Sequence, residues 1–132
     1  MLEIEYTGFE PQAGTEGRPP LSLDSLLIHN PQLAFFARMQ GYAMQRAGVR
    51  HKDLLLIEPS EYYANDSLVL VFADGQALIR RWQRTGQGGL FVPSDDKLPT
   101  IPYDDSCIIR GQVIASITLH TRPRFMLPEV VS

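Results

Sequence analysis

Hydroxyls, imidazoles, paired carboxylates and one thiol are the side chains of this chain that could do chemistry, and their spacing assembles none of them into a reacting set. Ser60, Ser67 and Tyr42 carry hydroxyls, but no base is placed for any of them by the sequence. His29, His51 and His120 fall in different elements without the spacing of metal ligands. Asp95-Asp96 and Asp104-Asp105 are adjacent pairs in loops, whereas a chelating site needs carboxylates that converge. Cys107, in the apolar run Ser106-Cys107-Ile108-Ile109, reads as a buried strand residue rather than a reactive thiol. Thr85-Gly86-Gln87-Gly88-Gly89 is dense in glycine but is followed by neither a Lys-Ser/Thr pair nor a helix, so it is no phosphate loop. Arg80-Arg81-Trp82 has the composition of a nucleic-acid patch, yet it lies in a strand pattern that exposes one arginine. No cofactor or metal is implied.

The elements that would position such groups are strands. Leu33 to Met39 and Leu54 to Ile57 are apolar segments flanking a polar, glycine-containing stretch. Leu68 to Phe72 and Ala77 to Trp82 form a strand pair joined through Asp74-Gly75, the dipeptide that a type I′ hairpin turn demands. Alternation in the second of these puts Ile79 and Arg81 on one face and Leu78, Arg80 and Trp82 on the other. Leu90-Phe91-Val92-Pro93 is a further strand ending in the polar turn Ser94-Asp95-Asp96, and Ile108 to Leu119 reads as a long one. Glu58 to Asp66 is too polar and interrupted for a core element.

Composition fits one compact domain. At 132 residues, 44% hydrophobic and 20% charged, the chain can bury a core without staples. A single cysteine excludes an internal disulfide framework and suits a reducing compartment. No stretch approaches the roughly 20 apolar residues of a membrane span, and Met1-Leu2-Glu3-Ile4-Glu5 lacks a basic leader start, so a cytoplasmic protein is expected. A formal charge of −3 predicts no direct nucleic-acid binding.

The order and spacing of these segments, from about Gly8 to Leu119, resemble the carboxy-terminal domain of LexA repressors and the shorter UmuD proteins, the S24 family of self-cleaving serine peptidases. The motifs that carry the resemblance are Gly41-Tyr42-Ala43-Met44 after the first strand, Asp53 followed by Leu54-Leu55-Leu56-Ile57, the hairpin, and Arg110-Gly111-Gln112-Val113-Ile114. It implies a mainly β fold of twisted, mostly antiparallel strands with one short helix, read at Ser22 through Ile28. Residues 1–20 form a flexible arm, 21–121 the S24 domain, and 122–132 a tail with no family counterpart. With only about twenty residues before the first apolar segment, no room is left for a helix-turn-helix domain, and the chain resembles UmuD rather than a repressor.

Laid on this sequence, the family's serine falls on Ala43 and its lysine on Arg80, at the interval that UmuD-like proteins keep (80 − 43 = 37). Ala43 has no nucleophilic atom. A buried lysine can shed its proton near neutral pH, whereas arginine stays charged and cannot act as the base. The resemblance therefore implies a peptidase fold without peptidase activity. An engineered change at Ala43 would leave Arg80 unexplained. Thr7-Gly8 stands where the family's cleavage bond lies, with Thr7 in place of a small residue. Tyr42 replaces an acidic residue and either fills the emptied groove beside Gly41 and Met44 or lies exposed in the loop. Lys52 stands where glycine is usual, a departure expected to alter a turn. A cationic Arg80, expected to point toward Ala43, needs an acceptor: a main-chain carbonyl from the arm, or a carboxylate such as Asp53 or Glu58.

Three functions follow as expectations. The first is an inactive UmuD-like accessory protein of the SOS response, a homodimer or a heterodimer with an active relative. It would bind an error-prone Y-family DNA polymerase and the RecA filament, with Val113, Ala115 and Ile117 at the dimer interface. The second is a decoy that pairs with a LexA-like repressor or an active UmuD, and the third a peptidase of non-standard chemistry. The apolar residues among the prolines of 122–132 dock on the domain itself or on another protein, and the sequence favours a partner-binding peptide.

Overall fold

The computed structural model describes residues 33–121 and 129–132. The arm, the helix read at Ser22 through Ile28, Thr7 and Gly8 lie outside the described residues, as does most of the tail.

Eight strands make up one sheet: β1 (Phe35–Met39), β2 (Leu54–Glu58), β3 (Leu68–Ala73), β4 (Gln76–Thr85), β5 (Gly88–Val92), β6 (Ile101–Pro102), β7 (Ile108–Ile117) and β8 (Val130–Val131). Their spatial order is β6-β5-β4-β3-β7-β2-β1-β8. Every neighbouring pair is antiparallel except β1 and β8, which run parallel. A single 3₁₀ turn, Gln45–Ala47, follows the 41–44 loop. The fold is mainly β, as the sequence implies.

Turn chemistry sets the register. Asp74 and Gly75 both adopt positive φ (52° and 74°), the geometry of a type I′ turn, and Ala73 pairs directly with Gln76 across it. Lys52 also takes a positive φ of 74°. Lys52 thus makes a turn that glycine would make freely, its N donating to Met39 O at 2.7 Å.

Pairing on β7 is interrupted twice. Its register against β3 skips Arg110, and its register against β2 skips Ile114. Each bulge turns the strand so that residues two apart no longer share a face. Val113 pairs with Ile57 and packs on the main core, whereas Ala115 and Ile117 pair with Leu56 and Leu54 on the other face. The three positions expected to share one surface are split between two.

Two cores result. One joins Ala37, Met39, Ala43, Met44, Val49, Leu55, Ile57, Leu70, Ile79 and Val131. The other, across the sheet, joins Val69, Val71, Ala73, Leu78, Trp82, Phe91 and Cys107. Trp82 lies 5.1 Å from the Phe91 ring and 5.7 Å from that of Tyr103.

The sheet curls far enough for its ends to meet. On β4, β5 pairs only with Arg81 to Thr85, leaving the first half of that strand without a ladder partner on that side among the described residues. β8 comes up to that half: Ser132 N donates to Ala77 O at 2.9 Å, while Val131 pairs with Met39 on β1. The end of the tail thus docks on its own domain, against the expectation of a peptide reserved for a partner. A two-residue strand paired across the whole chain leaves no local periodicity to read.

Candidate functional site

The 41–44 loop leaves β1 through Gly41, whose φ of 101° is open to glycine and costly to other residues. Its amide donates to His51 Nδ1 at 2.8 Å. Beyond it the chain turns inward: Met44 is fully buried and Ala43 nearly so. The Ala43 carbonyl accepts from Ser94 N (2.9 Å), Asp95 N (3.2 Å) and Ser94 Oγ (3.0 Å). Ser94 Oγ also accepts from Arg46 N at 3.1 Å, and Arg46 reaches Asp96 at 3.4 Å. The Ser94-Asp95-Asp96 turn, read in the sequence as a merely polar connection, is the clamp that fixes residue 43.

Tyr42 is the loop's outward residue, 62% exposed. It rests on His51, ring centroids 5.0 Å apart, and does not fill the space beside Ala43. With Gln45, Arg50 and His51 it lines a depression of about 390 Å³. A hydroxyl and an imidazole meet there, but the Nδ1 lone pair of His51 is occupied by the Gly41 amide, leaving Nε2 to carry the proton. His51 in that state is no base for Tyr42. Ser60, another of the three hydroxyls considered, donates to Tyr62 O at 3.0 Å within its own exposed turn.

Asp53 holds the far side of the loop. Only 1% exposed, it accepts from Arg50 N at 2.8 Å and from the Thr118 hydroxyl at 2.6 Å, tying the loop to the end of β7. Those bonds take the oxygens that the sequence offered to Arg80.

Arg80 is 6% exposed, and its Nη1 donates to Ile79 O at 2.7 Å and to Ser132 O at 3.2 Å. Its acceptors are thus main-chain carbonyls. Its Nε is buried with no hydrogen-bond partner among the described residues. Burial pushes the guanidinium below the ordinary arginine value, because the charged form loses water that two carbonyls only partly replace. Arg80 pairs with Val69 and so shares the face of Leu78 and Trp82, while Ala43 clusters with Ile79 on the opposite face. The guanidinium does not aim straight at Ala43; it bends to the unpaired half-edge of β4. Val131 joins the cluster of Ala43, and its neighbour Ser132 offers its carbonyl to Arg80.

Residue 43 is fixed firmly enough to aim a nucleophile but carries a methyl group, and residue 80 is a buried cation bonded to carbonyls. Among the described residues, no three of His, Cys, Asp and Glu gather where they could hold a metal ion, and no helix is long and apolar enough to cross a membrane.

Residues 7–114 match the Peptidase S24-like family model, and the chain belongs to that family. Among curated relatives, the LexA repressor of Aeromonas salmonicida is 31% identical over 85 residues, 64% of this chain and 41% of the repressor. Protein ImpA of Salmonella typhimurium is 29% identical over 115 residues, 87% of this chain and 79% of that protein. The LexA repressor of Clostridium kluyveri is 30% identical over 95 residues, 72% of this chain and 46% of its own length. The chain thus spans less than half of the repressors it matches and most of ImpA.

Proposed function

We propose that this chain is an S24 peptidase fold that has lost self-cleavage and works by binding, as an inactive UmuD-like accessory protein of the SOS response. In this reading it pairs with itself or with an active relative and engages an error-prone Y-family polymerase and the RecA filament. What carries it is the pair Ala43 and Arg80: a methyl group at the position to which the resemblance assigns the family's serine, and a buried guanidinium, bonded to Ile79 and Ser132 carbonyls, at the position to which it assigns the lysine. Neither can supply the nucleophile or the neutral amine, and a dyad fails as a unit. The match to ImpA, which covers most of both chains, supports a relative of that protein.

The test is affinity capture of the tagged chain from DNA-damaged and undamaged cells of its own host, with bound proteins identified by mass spectrometry. A Y-family polymerase in the eluate supports the accessory reading. A LexA-like repressor or RecA without polymerase moves the assignment to a decoy of repressor cleavage, a second reading favoured by the matches to LexA. Loss of mass at Thr7-Gly8 on incubation with RecA filaments at mildly alkaline pH would sink both and return a working peptidase.

A further inference from the structure

The outward side of the loop between β1 and β2 gathers four hydrogen-bond donors. Tyr42, Gln45, Arg50 and His51 line the depression of about 390 Å³, while the Ala43 side chain lies in the main core. Their roots are fixed. Gln45 N donates to Tyr42 O at 3.2 Å, Arg50 N donates to Asp53 Oδ2 at 2.8 Å, and His51 is held by the Gly41 amide and by the Tyr42 ring. Their tips make no hydrogen bond among the described residues: a phenol, a carboxamide, a guanidinium, and the Nε2–H that the Gly41 bond leaves on His51. Local charge is positive. Arg46 is offset by Asp96 at 3.4 Å, and the Asp53 carboxylate is 1% exposed, its oxygens taken by Arg50 N and the Thr118 hydroxyl. Arg50 and the exposed Lys52 make no ion pair among the described residues.

We infer that this depression is a binding site for the phosphate group of a small molecule. An arginine fork takes two phosphate oxygens at once, and the imidazole N–H, carboxamide and phenol supply donors for the others. Four donors suit a tetrahedral anion with several acceptor oxygens better than a carboxylate with two. A depression of this volume stands at the small end of ligand sites, which run from roughly 300 to 1,000 Å³, so a phosphate enters with its substituent. The substituent lies against Tyr42, whose ring is 62% exposed although it rests on His51. With a net charge of −3 the chain exerts no general pull on anions, so binding here must come from these four side chains. The site needs neither peptidase chemistry nor a protein partner, and its test involves neither.

Inorganic phosphate and phenyl phosphate are titrated into the full chain at about pH 8, where both are dianions, with sodium chloride holding the ionic strength constant. Binding is read from the His51 ring resonances by NMR. Inorganic phosphate should saturate with a Kd of about 1 mM, and phenyl phosphate, whose ring lies on Tyr42, should bind about threefold more tightly. Arg50→Met keeps the bond to Asp53, which the main chain makes, and should weaken both by at least about tenfold. Lys52→Met removes the same charge outside the depression and should leave both unchanged. Unaltered Trp82 emission shows that each variant is folded. Shifts that never saturate, or that chloride reproduces at equal ionic strength, overturn the inference. So does a loss in Lys52→Met equal to that in Arg50→Met, which would be a general charge effect, and so does phenyl phosphate binding more weakly than the bare ion.

Discussion

Replacing Arg80 by methionine should stabilise the fold, because the guanidinium is held at a net cost. It is 6% exposed, and water is replaced by two carbonyls, at 2.7 Å and 3.2 Å, with Nε left without a partner among the described residues. Hydrogen bonds to a charged donor contribute about 1.5–3 kcal/mol each, and the longer one, to a partly buried carbonyl that water can also reach, belongs at the low end. Against about 3–5 kcal/mol from the two bonds stand several kcal/mol for desolvating the charge and about 1–3 kcal/mol for the orphaned Nε. Methionine has similar length, fills the same channel and carries no charge. The balance favours Arg80→Met by about 1–2 kcal/mol, or roughly 3–8 °C in Tm for a chain of this size. Urea titration followed by emission of Trp82, the sole tryptophan, reads it directly, since Trp82 is packed against Phe91 and Tyr103 two residues along the same strand. Arg80→Ala, which leaves a void as well, should instead be destabilising by about 2–4 kcal/mol. If Arg80→Met lowered stability by more than about 1 kcal/mol while Arg80→Lys left it unchanged, the cation would be a net structural asset, and the reasoning would be refuted.

Four other outcomes are expected. Lys52→Gly should raise stability by about 1 kcal/mol in the same titration, because Lys52 holds a positive φ that glycine adopts freely. Gly111→Ala should cost about 1–3 kcal/mol, since the added carbon would stand 2.5 Å from Ile57 Cγ2 and 3.2 Å from the Glu58 carbonyl, a main-chain neighbour that cannot give way. Ala43→Ser with Arg80→Lys should not restore self-cleavage, read as unchanged mass on incubation with RecA filaments at mildly alkaline pH, because residue 80 shares the face of Leu78 and Trp82 while residue 43 clusters with Ile79 on the other. The Ser106 hydroxyl and amide hold the exposed Asp104 carboxyl below the usual carboxylate range. Its contribution to stability is therefore complete above that range and disappears as the pH falls through its lowered value, and Asp104→Asn should flatten that part of an acid titration.

Much of the sheet was legible because its strands are local and strongly patterned. Leu68 to Phe72 and Ala77 to Trp82 became β3 and β4 around the Asp74-Gly75 turn, and Leu54 to Ile57 became β2. The turn dipeptide fixed both register and direction before any long-range contact was considered. The bulges at Arg110 and Ile114 were not legible, since nothing in Arg110-Gly111-Gln112-Val113-Ile114 marks an extra residue until its partners are known. That is why Val113 was grouped with Ala115 and Ile117 although it packs on the main core. At the site, the loop and the position of Arg80 came from motif spacing, but its acceptors did not. Ser132 lies 52 residues beyond Arg80, and carbonyls are carried by every residue, so no composition could single it out. Ser94 was likewise invisible as a clamp because its partner, the Ala43 carbonyl, has no side-chain signature.

The pairing of Arg38 with Val130 spans 130 − 38 = 92 residues, the widest separation between paired strands in the described sheet. Closing so long a loop for a two-residue strand returns little enthalpy until the rest of the sheet exists, so β8 should join after the other strands have assembled. Until residues 129–132 dock, the Arg38 and Gln40 amides and the Ala77 carbonyl lack the partners they have among the described residues. During that interval the sheet offers an adhesive edge to any neighbouring chain, and the rate at which residues 129–132 dock becomes a determinant of yield.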